Sequence, residues 1–152
     1  MQIEVARIPS EGLDLSGTDE TVFADAPKDF YYEAKGDVEY DLHADYVSGA
    51  LIVTGALSVR MSFPCSRCAL RFEEGVSERR FDFMSEAPDG TESVDLTEAM
   101  REAILCAFPS YPVCRSECKG LCAQCGKDLN AGDCGCLPKE ENRWEDLNGL
   151  KL

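Results

Sequence analysis

Basic residues, histidine and long apolar runs are scarce in this chain of 152 residues. Only 15 Lys and Arg stand against 29 Asp and Glu, which gives a formal net charge of −14. A protein that binds nucleic acid through its phosphates needs a basic face, so the composition of the whole chain disfavours a nucleic-acid-binding protein. The same acidity attracts basic proteins, although it also serves solubility alone.

Targeting and membrane segments are also missing from the sequence. No apolar run approaches the roughly 18 residues of a transmembrane helix. The start, Met1 to Val5, lacks the basic and apolar regions of a signal peptide. We therefore expect a cytoplasmic protein with no membrane partner, in a reducing compartment where structural disulfides are disfavoured.

Candidate catalytic groups are equally sparse. His43 is the only histidine, and it falls on the polar side of a predicted strand, so Ser–His and Cys–His catalysis have no natural site. The sequence has no Gly-rich phosphate loop and no H-E-x-x-H motif. We expect a protein that is not an enzyme, with no catalytic residues and no small-molecule substrate.

Alternating apolar and polar residues predict β-structure in the first 88 residues. Apolar residues recur at every second position from Val38 to Ala44 and from Leu51 to Phe63, and Ser48-Gly49 marks a turn between them. This pattern is typical of an antiparallel hairpin. The segment from Leu70 to Phe83 predicts one or two further strands around its glycine.

A helix is predicted after the polar break at residues 89–94. Asp95 is the expected N-cap, with Glu98 three positions on as its capping-box partner. Pro109 and Pro112 end the helix. Six apolar residues recur at helical spacing and predict a face that packs on the sheet: Leu96, Ala99, Met100, Ala103, Ile104 and Ala107.

Together these elements predict an α+β fold: an antiparallel β-rich domain with one packed helix and a Cys-rich zinc-binding C-terminal module. We assign residues 1–109 to the β-rich domain with its C-terminal helix. Residues 110–138 form the Cys-rich module, which has too few aliphatic residues for a core of its own, and residues 139–152 form a short terminal helix or tail. Residues 1–60 carry four bases and twelve acids, whereas the module carries three of each, so the acidity lies mainly on the sheet.

Nine cysteines are the outlying feature of the composition, and eight of them fall into close pairs. Thiolates at these spacings can share a tetrahedral Zn²⁺, and Gly126, directly after one pair, suits the tight turn of a metal knuckle. We therefore expect two zinc ions, with an iron–sulfur cluster as the chemical alternative. The paired residues are Cys65 and Cys68, Cys114 and Cys118, Cys122 and Cys125, and Cys134 and Cys136.

If no pair is split, the four pairs combine into two sites in three ways. The Cys122 and Cys134 pairs are close in sequence, so we join them and leave the Cys65 pair with the Cys114 pair. The latter site closes a long loop, so its metal would be coupled to folding of the domain. One mixed or binuclear cluster is the alternative arrangement. Cys106, the ninth cysteine, is expected to be a half-buried, unreactive thiol.

Three segments resemble one known family. Residues 112–130, P-V-C-R-S-E-C-K-G-L-C-A-Q-C-G-K-D-L-N, resemble the C-terminal signature of the YceD-like family, the large ribosomal RNA subunit accumulation proteins. Cys65-Ser66-Arg67-Cys68 resembles the C-x-R-C element of that family, and Asp95 to Leu105 resembles the helix between the two. The resemblance covers roughly residues 35–152. It implies a non-enzymatic protein needed for accumulation of large-subunit ribosomal RNA, and so for ribosome assembly.

The charge distribution suggests two kinds of partner for such a protein. The acidic surface suits a basic ribosomal protein. A local patch near the cysteines suits large-subunit rRNA, and its basic residues would be Arg60, Arg67, Arg71, Arg115, Lys119 and Lys127. The alternative functions are a redox-switched zinc chaperone, whose C-x-C and C-x2-C thiolates release zinc on oxidation, and an iron–sulfur enzyme or electron carrier.

Overall fold

The computed structural model describes residues 1–25, 31–87 and 92–137. One α-helix, α1 (Thr97–Cys106), and two short 3₁₀ turns, Val5–Arg7 and Leu129–Ala131, accompany the strands of this part of the chain. The strands are β1 (Gln2–Glu4), β2 (Leu13–Asp19), β3 (Glu33–Ala34), β4 (Val38–Val47), β5 (Ala50–Pro64), β6 (Arg71–Glu86) and β7 (Ser93–Asp95). The predicted mixture of antiparallel sheet and one packed helix is confirmed, whereas the helix or tail expected at residues 139–152 lies outside the described residues.

Five strands form the main sheet, and all of its pairs are antiparallel. β4 lies between β2 and β5, and β5 also pairs with β6 and with the short β3. The β4–β5 hairpin turns at Ser48 and Gly49, whose φ angles are 54° and 81°. Two positive φ angles give a two-residue turn the twist of its flanking strands, so the predicted hairpin is confirmed.

The segment expected to supply one or two strands forms a single strand of 16 residues, β6. Its pairing with β5 shifts in register, because Gly55 pairs with Phe81 and Leu57 pairs with Glu78. β6 therefore has one extra residue at this bulge, which changes the alternation of its side chains. As a result, Val76 before the bulge and Phe81 after it are both buried in the core.

The sheet has one buried face, and α1 covers part of it by packing on β5 and β6. Leu96, Met100 and Ile104 of the predicted apolar stripe are fully buried, as expected. The N-cap residue of α1 is Leu96 and not the expected Asp95, and Leu96 makes no side-chain cap hydrogen bond. The Asp95 carboxylate, one residue earlier, still accepts a hydrogen bond from the Thr97 N–H at 2.9 Å. Glu98, the expected capping-box partner, is instead paired with Arg101 at 2.6 Å.

A second, two-stranded sheet was not foreseen from the sequence. β1 pairs with β7 directly before α1, so the first residues of the chain lie beside the start of the helix. The two sheets share one core with the helix. No helix among the described residues is long and apolar enough to cross a membrane.

Candidate metal centre

Cys65 and Cys68 lie in the tight turn that joins β5 to β6. The Cys65 N–H donates to the Leu70 carbonyl at 2.9 Å, and the Ala69 N–H donates to the Cys65 carbonyl at 2.9 Å. To close the turn, Ala69 adopts a φ of 60°, in the left-handed region. The turn places both thiols against the segment that follows α1.

The Cys122–Cys125 turn repeats this geometry. The Cys122 N–H donates to the Lys127 carbonyl at 2.8 Å, and the Gly126 N–H donates to the Cys122 carbonyl at 2.9 Å. Gly126 has a φ of 73°, the conformation that Ala69 adopts in the first turn. The glycine expected for a metal knuckle therefore lies where a left-handed residue is required. The chain uses one turn geometry twice.

The eight paired cysteines gather into two groups of four, each with its sulfurs within 4.8 Å of one another. They are the two combinations that sequence proximity favours. The buried cluster comprises Cys65, Cys68, Cys114 and Cys118, and the exposed cluster comprises Cys122, Cys125, Cys134 and Cys136. Every one of the nine cysteines is a free thiol.

The sulfur positions of the buried cluster fit one tetrahedral ion. The Cys65 and Cys118 sulfurs lie 3.9 Å apart, and those of Cys68 and Cys114 lie 3.8 Å apart. Four thiolates with metal–sulfur bonds of about 2.3 Å form a tetrahedron with edges of about 3.8 Å. A disulfide would need about 2.05 Å. The buried cluster could therefore hold a metal ion without rearrangement of its sulfurs.

The two clusters differ in their surroundings. Cys65, Cys68 and Cys118 are only 3–5% exposed, and they pack with Phe72 and Val113 at the end of the main sheet. In the exposed cluster, Cys125 and Cys136 are open to solvent and the other two thiols are half-buried. The buried cluster therefore joins distant parts of the fold, whereas the exposed cluster closes a local loop.

Backbone N–H groups converge on one sulfur of the buried cluster. The Arg67 and Cys114 N–H groups both donate to Cys65 Sγ at 3.4 Å. Burial opposes ionisation, but these donors and the Cys68 N–H outweigh it and lower the pKa of Cys65 to about 6. Burial and the neighbouring thiols raise the pKa of Cys114 to about 12. Cys65 thus ionises readily, whereas ionisation of Cys114 needs a cation nearby.

The exposed cluster follows the same electrostatic pattern. The Cys125 and Gln124 N–H groups, together with the Cys134 thiol, lower the pKa of Cys122 to about 6. The thiols of Cys125 and Cys134 raise the pKa of Cys136 to about 12. A divalent cation that prefers thiolate ligands matches both the donor set and the charge of each cluster.

Three residues of the expected basic patch make hydrogen bonds within the described part of the protein. Arg67 donates to the Cys118 carbonyl at 2.9 Å, Arg71 donates to Ser62 Oγ at 3.3 Å, and Lys127 donates to the Asp133 carbonyl at 2.9 Å. These three side chains stabilise turns around the clusters. The exposed members Arg60, Arg115 and Lys119 remain for contact with a partner.

Cys106 and His43 lie outside both clusters. Cys106 is exposed at the end of α1, so the expectation of a half-buried thiol is wrong. It lies off the helix face that buries Met100 and Ile104. His43 lies on the solvent side of β4, where its Nδ1 is 2.5 Å from an Asp14 oxygen. This hydrogen bond and the charge of Asp45 raise the pKa of His43.

The family model described as large ribosomal RNA subunit accumulation protein YceD matches residues 73–151, just over half of the chain. The chain belongs to the YceD family. The match covers most of β6, all of α1 and the cysteines from Cys114 to Cys136, and it confirms the resemblance that the signature residues indicate. Cys65 and Cys68 lie just before the matched region.

Curated relatives align over different parts of the chain. An uncharacterized protein of Mycobacterium tuberculosis is 31% identical over 125 residues, which are 72% of this chain and 60% of that protein. The large ribosomal RNA subunit accumulation protein YCED homolog 1, chloroplastic, of Zea mays is 29% identical over 84 residues, 55% of this chain and 28% of the plant protein. The chain thus spans about three-fifths or less of the curated relatives' length. No solved structure matches the chain.

Two residues of this YceD-family site were not assigned their roles from the sequence. Arg67 bridges the turn of the buried cluster to Ser116 and Cys118 by donating to their carbonyl oxygens. The Asn130 side chain donates to Cys118 Sγ at 3.5 Å. The Asp128-x-Asn130 spacing predicts a local turn, but sequence spacing alone carries no signal for a contact with a cysteine twelve positions away.

Proposed function

We propose that this chain is a non-enzymatic, zinc-stabilised factor that supports the accumulation of large-subunit ribosomal RNA and thereby ribosome assembly. The observation that carries the proposal is the YceD family match across the helix and the Cys-rich segment. Each cluster offers four protein thiols to its ion, which is the closed set of a structural zinc site. A catalytic zinc site keeps one ligand position for water or substrate, so structural zinc fits this chain better.

The outer face of the main sheet is the surface we propose for a basic ribosomal protein. Side chains that point away from the core on β2, β4 and β6 place carboxylates across this face, and α1 lies on the opposite side. The carboxylates are Asp14, Glu39, Asp41, Asp45 and Asp82. A dense negative face attracts a basic protein and repels a phosphate backbone.

The Cys-rich module is the part that we propose lies toward the ribosomal RNA. Its charges balance before any metal is bound, so it repels RNA less than the sheet does. Arg115 and Lys119 are exposed beside the buried cluster and supply positive charge there. The proposed arrangement therefore has a basic protein on the sheet and RNA near the module.

Two measurements test the proposed function. Protein purified without added metal should contain two zinc ions per chain, whereas one equivalent or less, or stoichiometric iron, would contradict the zinc part.

Cells that lack the protein should accumulate less large-subunit rRNA relative to small-subunit rRNA. Restoration by the unaltered gene and by Cys106→Ser, but not by Cys65→Ser, is the expected result. An unchanged rRNA ratio in the depleted cells would contradict the ribosomal part.

A redox-switched zinc protein is the second candidate, and the exposure of Cys125 and Cys136 is the observation that favours it. Peroxide would oxidise thiolates of the exposed cluster and release its zinc. The main proposal places the protein in a reducing cytoplasm with its zinc retained. Loss of one zinc ion at low peroxide, together with a gain in binding to unfolded proteins, would favour the redox candidate.

A further inference from the structure

The two clusters are close neighbours, since only Lys119, Gly120 and Leu121 separate Cys118 of the buried cluster from Cys122 of the exposed one. The Leu121 N–H donates to the Arg67 carbonyl at 3.0 Å, which holds this link against the β5–β6 turn. A Cβ on Gly120 would lie 2.9 Å from the Arg67 carbonyl oxygen, so only glycine allows this approach.

Asn130 makes four hydrogen bonds beside this link. Its backbone N–H and its Nδ2 both donate to Asp128 Oδ1, at 2.9 Å and 2.7 Å. Its Oδ1 accepts from the Lys119 N–H at 2.9 Å, and its Nδ2 also donates to Cys118 Sγ at 3.5 Å. A flipped amide would set its oxygen against the Asp128 carboxylate and its NH₂ against the Lys119 N–H. The contacts therefore fix the amide with its N–H toward the sulfur.

The position of Asn130 in the chain gives this contact its importance. Asn130 lies between Cys125 and Cys134, in the loop whose two ends are ligand positions of the exposed cluster. The sulfur that it reaches belongs to the buried cluster and is in a residue that is only 3% exposed. A hydrogen bond to a ligand sulfur orients it and stabilises its thiolate form against protonation, and both effects retain the metal more firmly.

We propose that Asn130 is a positioning residue that couples the two clusters. An ion in the exposed cluster holds the loop that presents the Asn130 amide to Cys118. This contact slows loss of the ion in the buried cluster. The inference rests on the zinc part of the proposed function and is independent of its ribosomal part. Because coupling between sites is reciprocal, loading of the buried cluster also favours loading of the exposed one.

The test is the rate of zinc release to a coloured chelator in excess, measured on the full chain. The unaltered protein should release one ion in a fast phase and one in a slow phase, and Cys134→Ser should lack the fast phase. The key variant exchanges donor and acceptor through Asp128→Asn combined with Asn130→Asp. This exchange keeps the composition, the net charge and the bond between the two side chains, but it replaces the N–H that faces Cys118 Sγ with a carboxylate oxygen.

The exchange variant should accelerate the slow phase about 10- to 100-fold, the usual effect of losing such an outer contact. Gln2→Glu is the control, because it alters an exposed side-chain amide on β1, outside both clusters. Its slow phase should stay within about twofold of the parent. If the exchange variant does not fold, Asn130→Ala removes the same donor without adding charge.

Coupling also predicts that Cys134→Ser releases its remaining ion faster than the parent's slow phase. Adding Asn130→Ala to Cys134→Ser should then accelerate zinc release little further, because both changes disrupt the same contact between Asn130 and Cys118. A slow phase unchanged by the exchange, by Asn130→Ala and by Cys134→Ser would overturn the coupling while leaving the zinc sites intact. Absence of zinc from the unaltered protein would overturn both this inference and the zinc part of the proposed function.

Discussion

Ala69 and Gly126 occupy equivalent places in the two C-x2-C turns, with φ angles of 60° and 73°. A residue with a side chain in this left-handed region is destabilised by roughly 1–2 kcal/mol. Replacing it with glycine removes this strain, but glycine also gives the unfolded chain more conformational freedom, which cancels part of the gain. Ala69→Gly should therefore stabilise the zinc-loaded protein by about 0.5 kcal/mol, and Gly126→Ala should destabilise its own turn by about 1 kcal/mol. Thermal unfolding and zinc release of the two variants measure whether one is stabilised and the other destabilised. A loss of stability in Ala69→Gly would contradict the argument.

His43 makes the stability depend on pH in a direction that its contacts determine. The Asp14 hydrogen bond raises its pKa above the unfolded value of about 6.5. The stabilisation is fully present below that unfolded value and is lost as the pH rises through the folded pKa. His43→Gln should therefore lower the unfolding midpoint relative to the parent at pH 6 and leave it unchanged at pH 9. Comparison with the parent at each pH cancels the titration of the cysteines, and an equal difference at both pH values would contradict the prediction.

At the scale of the element, the β5–β6 turn and its buried cluster contribute more to the stability of the fold than the exposed cluster does. The buried cluster joins this turn to residues 114–118, and Cys65 and Cys118 are 53 positions apart. Cys65→Ser should remove the ion and destabilise the protein by about 3 kcal/mol or more, which lowers the unfolding midpoint by about 10 °C in a chain of this size. Cys134→Ser should destabilise the sheet and helix less than Cys65→Ser does, since its cluster closes a local loop.

Thermal unfolding followed by far-ultraviolet circular dichroism measures this difference between the two serine variants. Cys106→Ser is the matched control, because it makes the same chemical change at an exposed cysteine outside both clusters. It should unfold at the same temperature as the parent. Equal losses from Cys65→Ser and Cys134→Ser would mean that the two clusters contribute alike to the fold, contrary to the burial contrast.

Elements with a strong local pattern were predictable from the sequence, and those that depend on distant partners were not. The β4–β5 hairpin and the buried face of α1 follow from periodicity and turn residues. The pairing of β1 with β7 joins residues about 90 positions apart and has no local signal. The bulge in β6 changes the alternation at Arg79 and Arg80, and such a register shift depends on the partner strand.

The site shows the same division between local and distant information. Pairs of cysteines at ligand spacing indicated the two groups, because the C-x2-C turns form locally. Arg67 was expected in a surface patch, although its guanidinium binds carbonyls at Ser116 and Cys118, which the chain reaches only about fifty residues later. Asn130 likewise acts on a cysteine of the other cluster. The ligand set can be read from spacing, whereas the contacts that orient the ligands depend on tertiary structure.

At the scale of the whole molecule, net charge determines which partner approaches which surface. Eight thiolates add −8 and two divalent ions add +4, so the formal charge of −14 becomes −18 when both clusters are filled. Contact with RNA phosphates must overcome this field, whereas a basic protein gains from it. The isolated protein should therefore bind naked large-subunit rRNA weakly and bind it more tightly once a suitable basic ribosomal protein is present.

The outer sheet face is where a single charge should matter most for the basic partner. Asp41 lies near the middle of this face, paired across the sheet with Ser16 and Ala56, and Asp41→Asn should weaken binding of the basic protein several-fold at low salt. Glu102→Gln removes the same charge from an exposed position on α1, on the opposite side, and should have little effect. The difference should shrink as salt rises through about 0.15 M, where the Debye length is about 8 Å.

Tight binding of the protein alone to naked rRNA, lost in Arg115→Ala or Lys119→Ala, would instead show that the basic residues beside the clusters outweigh the acidic field of the whole molecule.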